Sequence, residues 1–289
     1  MHRYLLHNDE IRPVSEAVFT AGQVGLLSGW GVFSTIKVVE GVPFAWERHW
    51  ARMCRDARLM HVPMPEDGEE VRRKVLRLLE ANQAPDATLR LVVVRNGGGV
   101  WEDPSVGRPW DVIALTTGLK QWGGGVRLDW APQGRHAASV FRGVKVISWC
   151  QNLTYLEQAQ QRGFDEVVLL NERGEVSECT SANLFVAEGR QVWTPPLDSG
   201  CLPGVTRELL LEEIRADGYE VGEKTLYPQD LESASEVFIT STTRDLLPVV
   251  QLGTLARENH GGAREALNAA FSRYIDEYVA AHRAPAASR

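Results

Sequence analysis

Cysteine is scarce in this chain of 289 residues: Cys54, Cys150, Cys179 and Cys201 are the only four, and no two form a CxxC pair. Zinc-ribbon spacing is excluded, and the expectation is of reduced thiols in a cytoplasmic protein. The seven histidines show neither HxxxH nor HExxH spacing, which argues against a protein-bound catalytic metal. No apolar run approaches the roughly 20 residues of a membrane span. The start, MHRYLLHNDE, lacks the apolar stretch of a signal peptide. A GxGxxG after a strand, a P-loop and a GxSxG elbow are all missing, which weakens nicotinamide, P-loop and serine-hydrolase readings together. Basic side chains are in deficit, 31 against 38 acidic, for a net charge of −7. Such a surface repels phosphate backbones, so nucleic acid is not expected as a partner.

What is present is an ordinary globular composition, 44% hydrophobic and 24% charged, at a length suited to about two domains. The segments 31–39 and 42–46 flank Glu40-Gly41 and predict a hairpin. Helical periodicity follows over 48–60 and 67–81, then strand signals at 89–94 and 112–116 around a glycine-rich loop from Asn96 to Pro109. Gly118–Gly125 (GLKQWGGG) reads as a linker, because its glycines break both periods. It divides the chain into an N-terminal α/β domain, 1–117, and a C-terminal domain, 126–289, whose tail 284–289 is expected to fray. Beyond the linker, strands are expected at 126–130, 144–147, 166–170, 183–186 and 192–194. Helices are expected at 153–162, 205–217 and 263–281, with one turn at 230–234. The pattern predicts a two-domain α/β (α+β) protein with mixed sheets in both domains.

The residues that carry chemistry are a lysine, an acid and scattered hydroxyls. Lys145 interrupts the apolar run Gly143-Val144-Lys145-Val146-Ile147, where a bland reading is a solvated edge residue. Glu178 stands among small and hydroxylic residues in VSECTSANLF (176–185), where its charge calls for a specific cationic partner. Gly204-Val205-Thr206-Arg207 opens a helix after Pro203, and free amides there suit an anion. Ser241, Thr242 and Thr243 end the strand Val237-Phe238-Ile239 and offer further hydroxyls.

Taken in order, these segments resemble the class IV aminotransferase family of pyridoxal-phosphate enzymes, which includes branched-chain and D-amino acid aminotransferases and aminodeoxychorismate lyases. The resemblance starts at Gly29-Trp30-Gly31-Val32-Phe33, similar to GxGxFE, and continues with His49-Trp50-Ala51-Arg52-Met53, similar to HxxRL. It runs through Lys145, GFDE at 163–166, VSECTSANLF, TPP at 194–196, PGVTR at 203–207 and FITSTTRDLLPV at 238–249. Tyr155-Leu156-Glu157-Gln158 echoes a lyase segment in another register, which would put Gln151 at the lysine position. Counting back from Gly163 and Asp165-Glu166 restores Lys145.

The resemblance implies a two-domain fold type IV enzyme, a homodimer with pyridoxal 5′-phosphate between the domains. Arg52 would come from the first domain and Lys145 from the second. Lys145 would hold the cofactor as a Schiff base and serve as the catalytic base and acid. Glu178 would protonate the pyridine nitrogen. Arg52, Val205, Thr206, Ser241 and Thr242 would hold the phosphate. Phe33, Arg90 and Thr243 are the substrate-binding candidates, with Arg95 and Arg135 as further candidates for the carboxylate. Transfer of an amino group from a branched-chain amino acid to a 2-oxo acid is the first expectation. Ser34-Thr35, in place of the usual glutamate, and Cys179 point instead to an aminodeoxychorismate lyase-like elimination giving pyruvate. Two further readings stay open: a D-amino acid or R-amine transaminase, and a catalytically idle binding protein.

Overall fold

The computed structural model describes residues 1–20, 22–103 and 105–283; the tail 284–289, expected to fray, lies outside the described residues. The chain forms two compact units. One takes the described residues of Met1–Lys120, Lys145–Trp149 and Ile275–Arg289, the other Gln121–Val144 and Cys150–Tyr274. No helix among the described residues is long and apolar enough to cross a membrane.

In the first unit, β1 (Tyr4–His7), β2 (Glu10–Pro13), β3 (Gly31–Val39), β4 (Val42–Pro43), β5 (Ala87–Arg95) and β6 (Trp110–Thr117) make one sheet in the order β2-β1-β6-β5-β3-β4. Every pairing in it is antiparallel, a correction to the expected mixed sheet. The reason lies in its connections: β1-β2, β3-β4 and β5-β6 each return directly on the neighbouring strand, and a direct return can only pair antiparallel. The predicted hairpin is there, with Glu40 at φ 50° and Gly41 at φ 82° in the turn. Three helices belong to this part of the chain: α1 (Val24–Ser28), α2 (Trp46–Leu59) and α3 (Gly68–Ala81). Asp67 caps α3 by accepting the Glu69 amide at 2.8 Å, and Val71, Val75, Leu78 and Leu79 form its buried face. On α2 the buried positions are Trp46, His49, Arg52, Met53, Asp56 and Ala57, one stripe at helical spacing. That stripe therefore carries three polar side chains inward with the apolar ones.

The second unit is built on a nine-stranded sheet. Its strands are β7 (Val126–Ala131), β8 (Glu166–Leu170), β9 (Val176–Cys179), β10 (Asn183–Glu188), β11 (Gln191–Thr194), β12 (Glu220–Glu223), β13 (Glu236–Ser241), β14 (Asp245–Leu252) and β15 (Leu255–Ala256). The order is β12-β11-β10-β13-β14-β7-β8-β9, with β15 on β14. This sheet is mixed as expected: β11-β12, β14-β7 and β7-β8 are parallel. Helices α4 (Cys150–Gln161), α5 (Val205–Glu212) and α6 (Pro228–Ser233) lie within this unit, while α7 (Ala263–His282) runs from it into residues of the first.

Two expected elements come out differently. The run 144–147 makes no regular strand: its one bridge pairs Val146 with Val32. Its ladder ends because the Lys145 amide donates to the Asp56 carboxylate at 2.9 Å instead of to a strand. Helix α5 stops at Glu212 rather than 217. There Ile214 turns into the core at 2% exposure, and the Arg215 guanidinium caps the open carbonyls of Glu212 and Ile214 at 2.6 and 3.0 Å.

The first-unit core should be the more sensitive to truncation at α3. Leu78 is fully buried beside Val75 and Leu89, so Leu78→Ala should lower unfolding free energy by about 2–5 kcal/mol in urea titration. A loss below about 1 kcal/mol would mean the site collapses around the missing atoms.

Candidate active site

Lys145 is held through its backbone. Its carbonyl accepts the Phe33 amide at 3.1 Å, its own amide goes to Asp56, and the Ile147 amide donates to the Gly31 carbonyl at 3.0 Å. Sequence reading assigns Lys145 to the second domain; in the structure it belongs with the first unit, because these bonds tie it to β3 and α2. Its Nζ lies 4.7 Å from the centroid of the Phe33 ring. Phe33 is 2% exposed and meets Trp149 edge to face at 6.3 Å. The Arg90 guanidinium sits over the same ring at 4.4 Å, and among the described residues it makes no hydrogen bond or ion pair. One buried aromatic face thus carries an amine and a guanidinium, a favourable place for cations.

Beside it, Ser34 Oγ accepts a hydrogen bond from Arg52 Nη2 at 2.9 Å and lies 2.7 Å from His49 Nδ1. Burial, then the charges of Arg52 and Lys145, hold His49 well below the ordinary imidazole range. It is a neutral ring at pH 7 and adds no positive charge to this crowded group. Arg95, one of the further carboxylate candidates, stacks on Trp30 at 4.2 Å and donates to the carbonyls of Gly97 and His61. It is therefore a structural residue of its loop.

In the second unit, Glu178 on β9 is 6% exposed. Its Oε1 accepts from Arg135 Nε at 3.0 Å and Nη2 at 2.9 Å, and its Oε2 accepts the Leu202 amide at 3.1 Å. The cationic partner that Glu178 called for is thus Arg135, whose Nη1 also donates to Asn152 at 3.2 Å. Occupied in this way, Arg135 is not the substrate-carboxylate partner that sequence reading also allowed.

The loop before α5 is tightly specified. Asn183 Nδ2 donates to the Leu202 carbonyl at 2.8 Å, and a Cβ on Gly204 would collide with Asn183 Oδ1. Gly204 is the N-cap and offers no side chain to the helix start. The following Val205 and Thr206 are 2% and 4% exposed, and no N-cap side chain takes up the first amides of the helix. Ser241, Thr242 and Thr243 form the turn between β13 and β14, closed by the Arg244 amide on the Ser241 carbonyl at 3.1 Å.

Each unit therefore gathers its own share of the predicted residues: Phe33, Arg52, Arg90 and Lys145 in the first, Glu178, Val205, Thr206, Ser241, Thr242 and Thr243 in the second. Asp56 and Arg135 were missed as partners. Asp56 had one signal, an acid four residues after Arg52 on the buried stripe of α2. Arg135 had none that distinguishes it from a loop charge.

Comparison with known proteins agrees with this geometry. The family model for class IV amino-transferases matches residues 31–252. A Methanocaldococcus jannaschii protein assigned as a branched-chain-amino-acid aminotransferase is 32% identical over 232 residues, covering 79% of this chain and 80% of the relative. The aminodeoxychorismate lyase of Bacillus subtilis is 25% identical over 275 residues, 91% of this chain and 92% of the lyase. In fold, the structure resembles the branched-chain aminotransferase of Thermoproteus uzoniensis, with a TM-score of 0.86 at 22% identity over 97% of this chain and 98% of that one. Family model and relatives span most of the chain, and the protein belongs to the class IV aminotransferases, enzymes that work with pyridoxal 5′-phosphate.

Proposed function

We propose that this enzyme moves an amino group from a branched-chain amino acid to a 2-oxo acid, with Lys145 as its catalytic residue. The observation that carries the reading is the buried Phe33 ring, with Lys145 Nζ and the Arg90 guanidinium at 4.7 and 4.4 Å from its centroid. An apolar wall beside an amine and a guanidinium suits a substrate that joins an apolar side chain to a carboxylate. The 32% identical archaeal relative, named for branched-chain amino acids, supports the same choice.

The residues fit the cofactor by the chemistry of their donors. Arg52, the uncapped amides of Val205 and Thr206, and the hydroxyls of Thr206, Ser241 and Thr242 suit a dianionic phosphate. Glu178, held in place by Arg135 and the Leu202 amide, suits a protonated ring nitrogen. Pyridoxal phosphate, when bound, supplies the electron sink that lets a proton leave substrate Cα. Lys145 Nζ would serve there as the general base and acid that moves that proton. Its backbone anchors on β3 and α2 restrict where that amine can go, which is the positional part of catalysis. Arg90 orients a substrate carboxylate, with Phe33 and Thr243 as further substrate contacts. The reading includes a homodimer, as the resemblance implies, in the cytoplasm, as the scarce and unpaired cysteines suggest.

Pyruvate-forming elimination from aminodeoxychorismate is the second reading. Ser34 favours it: a hydroxyl, bonded to Arg52 and 2.7 Å from His49 Nδ1, stands where the family usually has glutamate. A panel of leucine, isoleucine and valine against 2-oxoglutarate and pyruvate, with aminodeoxychorismate run alongside, separates the two. Amino transfer from the branched-chain donors is expected. Efficient conversion of aminodeoxychorismate with no transfer to any 2-oxo acid would replace the first reading by the second.

Lys145→Ala should abolish turnover and the borohydride-reducible bond between protein and cofactor; unchanged transamination in that variant would refute the catalytic assignment. Gly204→Ala should displace the start of α5 from Asn183. Pyridoxal phosphate should then dissociate about tenfold or more readily in dialysis, the equivalent of one or two lost charge-assisted bonds. Wild-type retention would remove Val205 and Thr206 from the phosphate site.

A further inference from the structure

Behind the turn that offers Ser241 and Thr242 lies a buried ion pair with no counterpart among the residues assigned above. Glu166, on β8, is fully buried, and Arg244 has 9% of its side chain exposed. Glu166 Oε1 accepts the Val167 amide at 3.0 Å, the Thr180 amide at 3.1 Å and the Thr180 hydroxyl. Its Oε2 accepts the Ser181 hydroxyl at 2.5 Å and Arg244 Nη2 at 3.3 Å. From the other side, Arg244 Nη1 donates to the Ser181 carbonyl at 3.1 Å and to Ser241 Oγ at 3.4 Å. The guanidinium lies 4.2 Å from the centroid of the Trp122 ring, and the Trp122 indole donates to the Thr243 carbonyl at 2.8 Å.

The turn 241–244 is thus gripped at three points: Ser241 Oγ by Arg244, the Thr243 carbonyl by Trp122, and Arg244 itself by Glu166 and Ser181. We propose that Arg244, clamped between Glu166 and Trp122, is a positioning residue that presets this turn to receive the cofactor's phosphate. The proposal rests on the reading of Ser241 and Thr242 as phosphate contacts and adds what holds them in place. Arg244 does not act as a phosphate-binding cation, because Glu166 offsets its charge within the same buried network. Its contribution is geometric: a hydroxyl already fixed in the bound arrangement loses less freedom on binding, so the phosphate is held more tightly. The planar guanidinium is what makes this possible. It bonds Glu166, Ser181 and Ser241 in one plane while stacking on an indole, and a lysine ammonium cannot do both.

The test compares two ligands that differ only in the group the turn would hold. Equilibrium binding of pyridoxal 5′-phosphate and of pyridoxal is measured on wild-type apoprotein and on Arg244→Lys, Arg244→Met and Trp122→Phe. Thermal unfolding of each apoprotein is recorded beside it. Wild type should prefer the phosphorylated form strongly. Arg244→Met should weaken pyridoxal phosphate about tenfold or more, the scale of a lost charge-assisted bond, and leave pyridoxal within about twofold. Arg244→Lys should recover less than half of that loss on a logarithmic scale. Trp122→Phe keeps a ring under the guanidinium but removes the donor to Thr243, and it should show the same selective loss in smaller measure. It also serves as the test if Arg244→Met fails to fold. Equal weakening of both ligands, tracking the drop in thermal stability, would show that the pair merely supports the fold and overturn the proposal. So would unchanged affinity for both ligands in all variants. A wild type that binds the two ligands equally would instead overturn the phosphate role of the turn, and the clamp with it.

Discussion

The structure depends on fixing a lysine by its backbone. For Lys145, the proposed catalytic residue, the main chain takes the constraint. Its amide is on Asp56, its carbonyl on the Phe33 amide, and the Ile147 amide is on Gly31. Asp56 is 1% exposed and sits on the same buried stripe of α2 as His49 and Arg52. One helix face therefore does two things at once. It packs Met53 and Ala57 into the apolar core, and it presents the acid that stops residues 144–147 from becoming a strand.

Desolvation shapes the charges on either unit. In the first, Lys145 and Arg90 lie near one aromatic ring, and the imidazole of His49 is kept neutral by burial and by the charges of Arg52 and Lys145. A protonated His49 would add a further cation in a place with little water to screen it. In the second, the acids are the buried partners. Glu178 is matched by Arg135 and a backbone amide, and Glu166 by Arg244, two hydroxyls and two amides. Buried carboxylates with this many donors stay where they are put. The same burial holds Cys179 and Cys201 as thiols, the latter with its pKa pushed up to about 11. Neither is a nucleophile at neutral pH.

Much of this was legible in the sequence because it depends on near neighbours. The β3-β4 hairpin announces itself through Glu40-Gly41, α3 through its Asp67 cap and apolar period, and the start of α5 through Pro203-Gly204. The motif order from Phe33 to Thr243 carried the family. Less local features were read less well. The first sheet is antiparallel rather than mixed, the helix after Pro203 stops five residues short of its expected end at 217, and 144–147 holds a single bridge.

What the sequence by itself determined was which chemical groups exist and in which order: a lysine in an apolar run, an acid among hydroxyls after it, and anion-suited helix and turn starts. What only the tertiary structure decided was which groups meet. Lys145 finds Asp56 across 89 positions, Arg135 finds Glu178 across 43, and Arg244 finds Glu166 across 78. No local period encodes such pairings, since each arises where segments distant in sequence pack together within one unit. The physical reason is that a lone charge is stable in water at any sequence position. Its need for a particular partner appears only when folding removes the water around it.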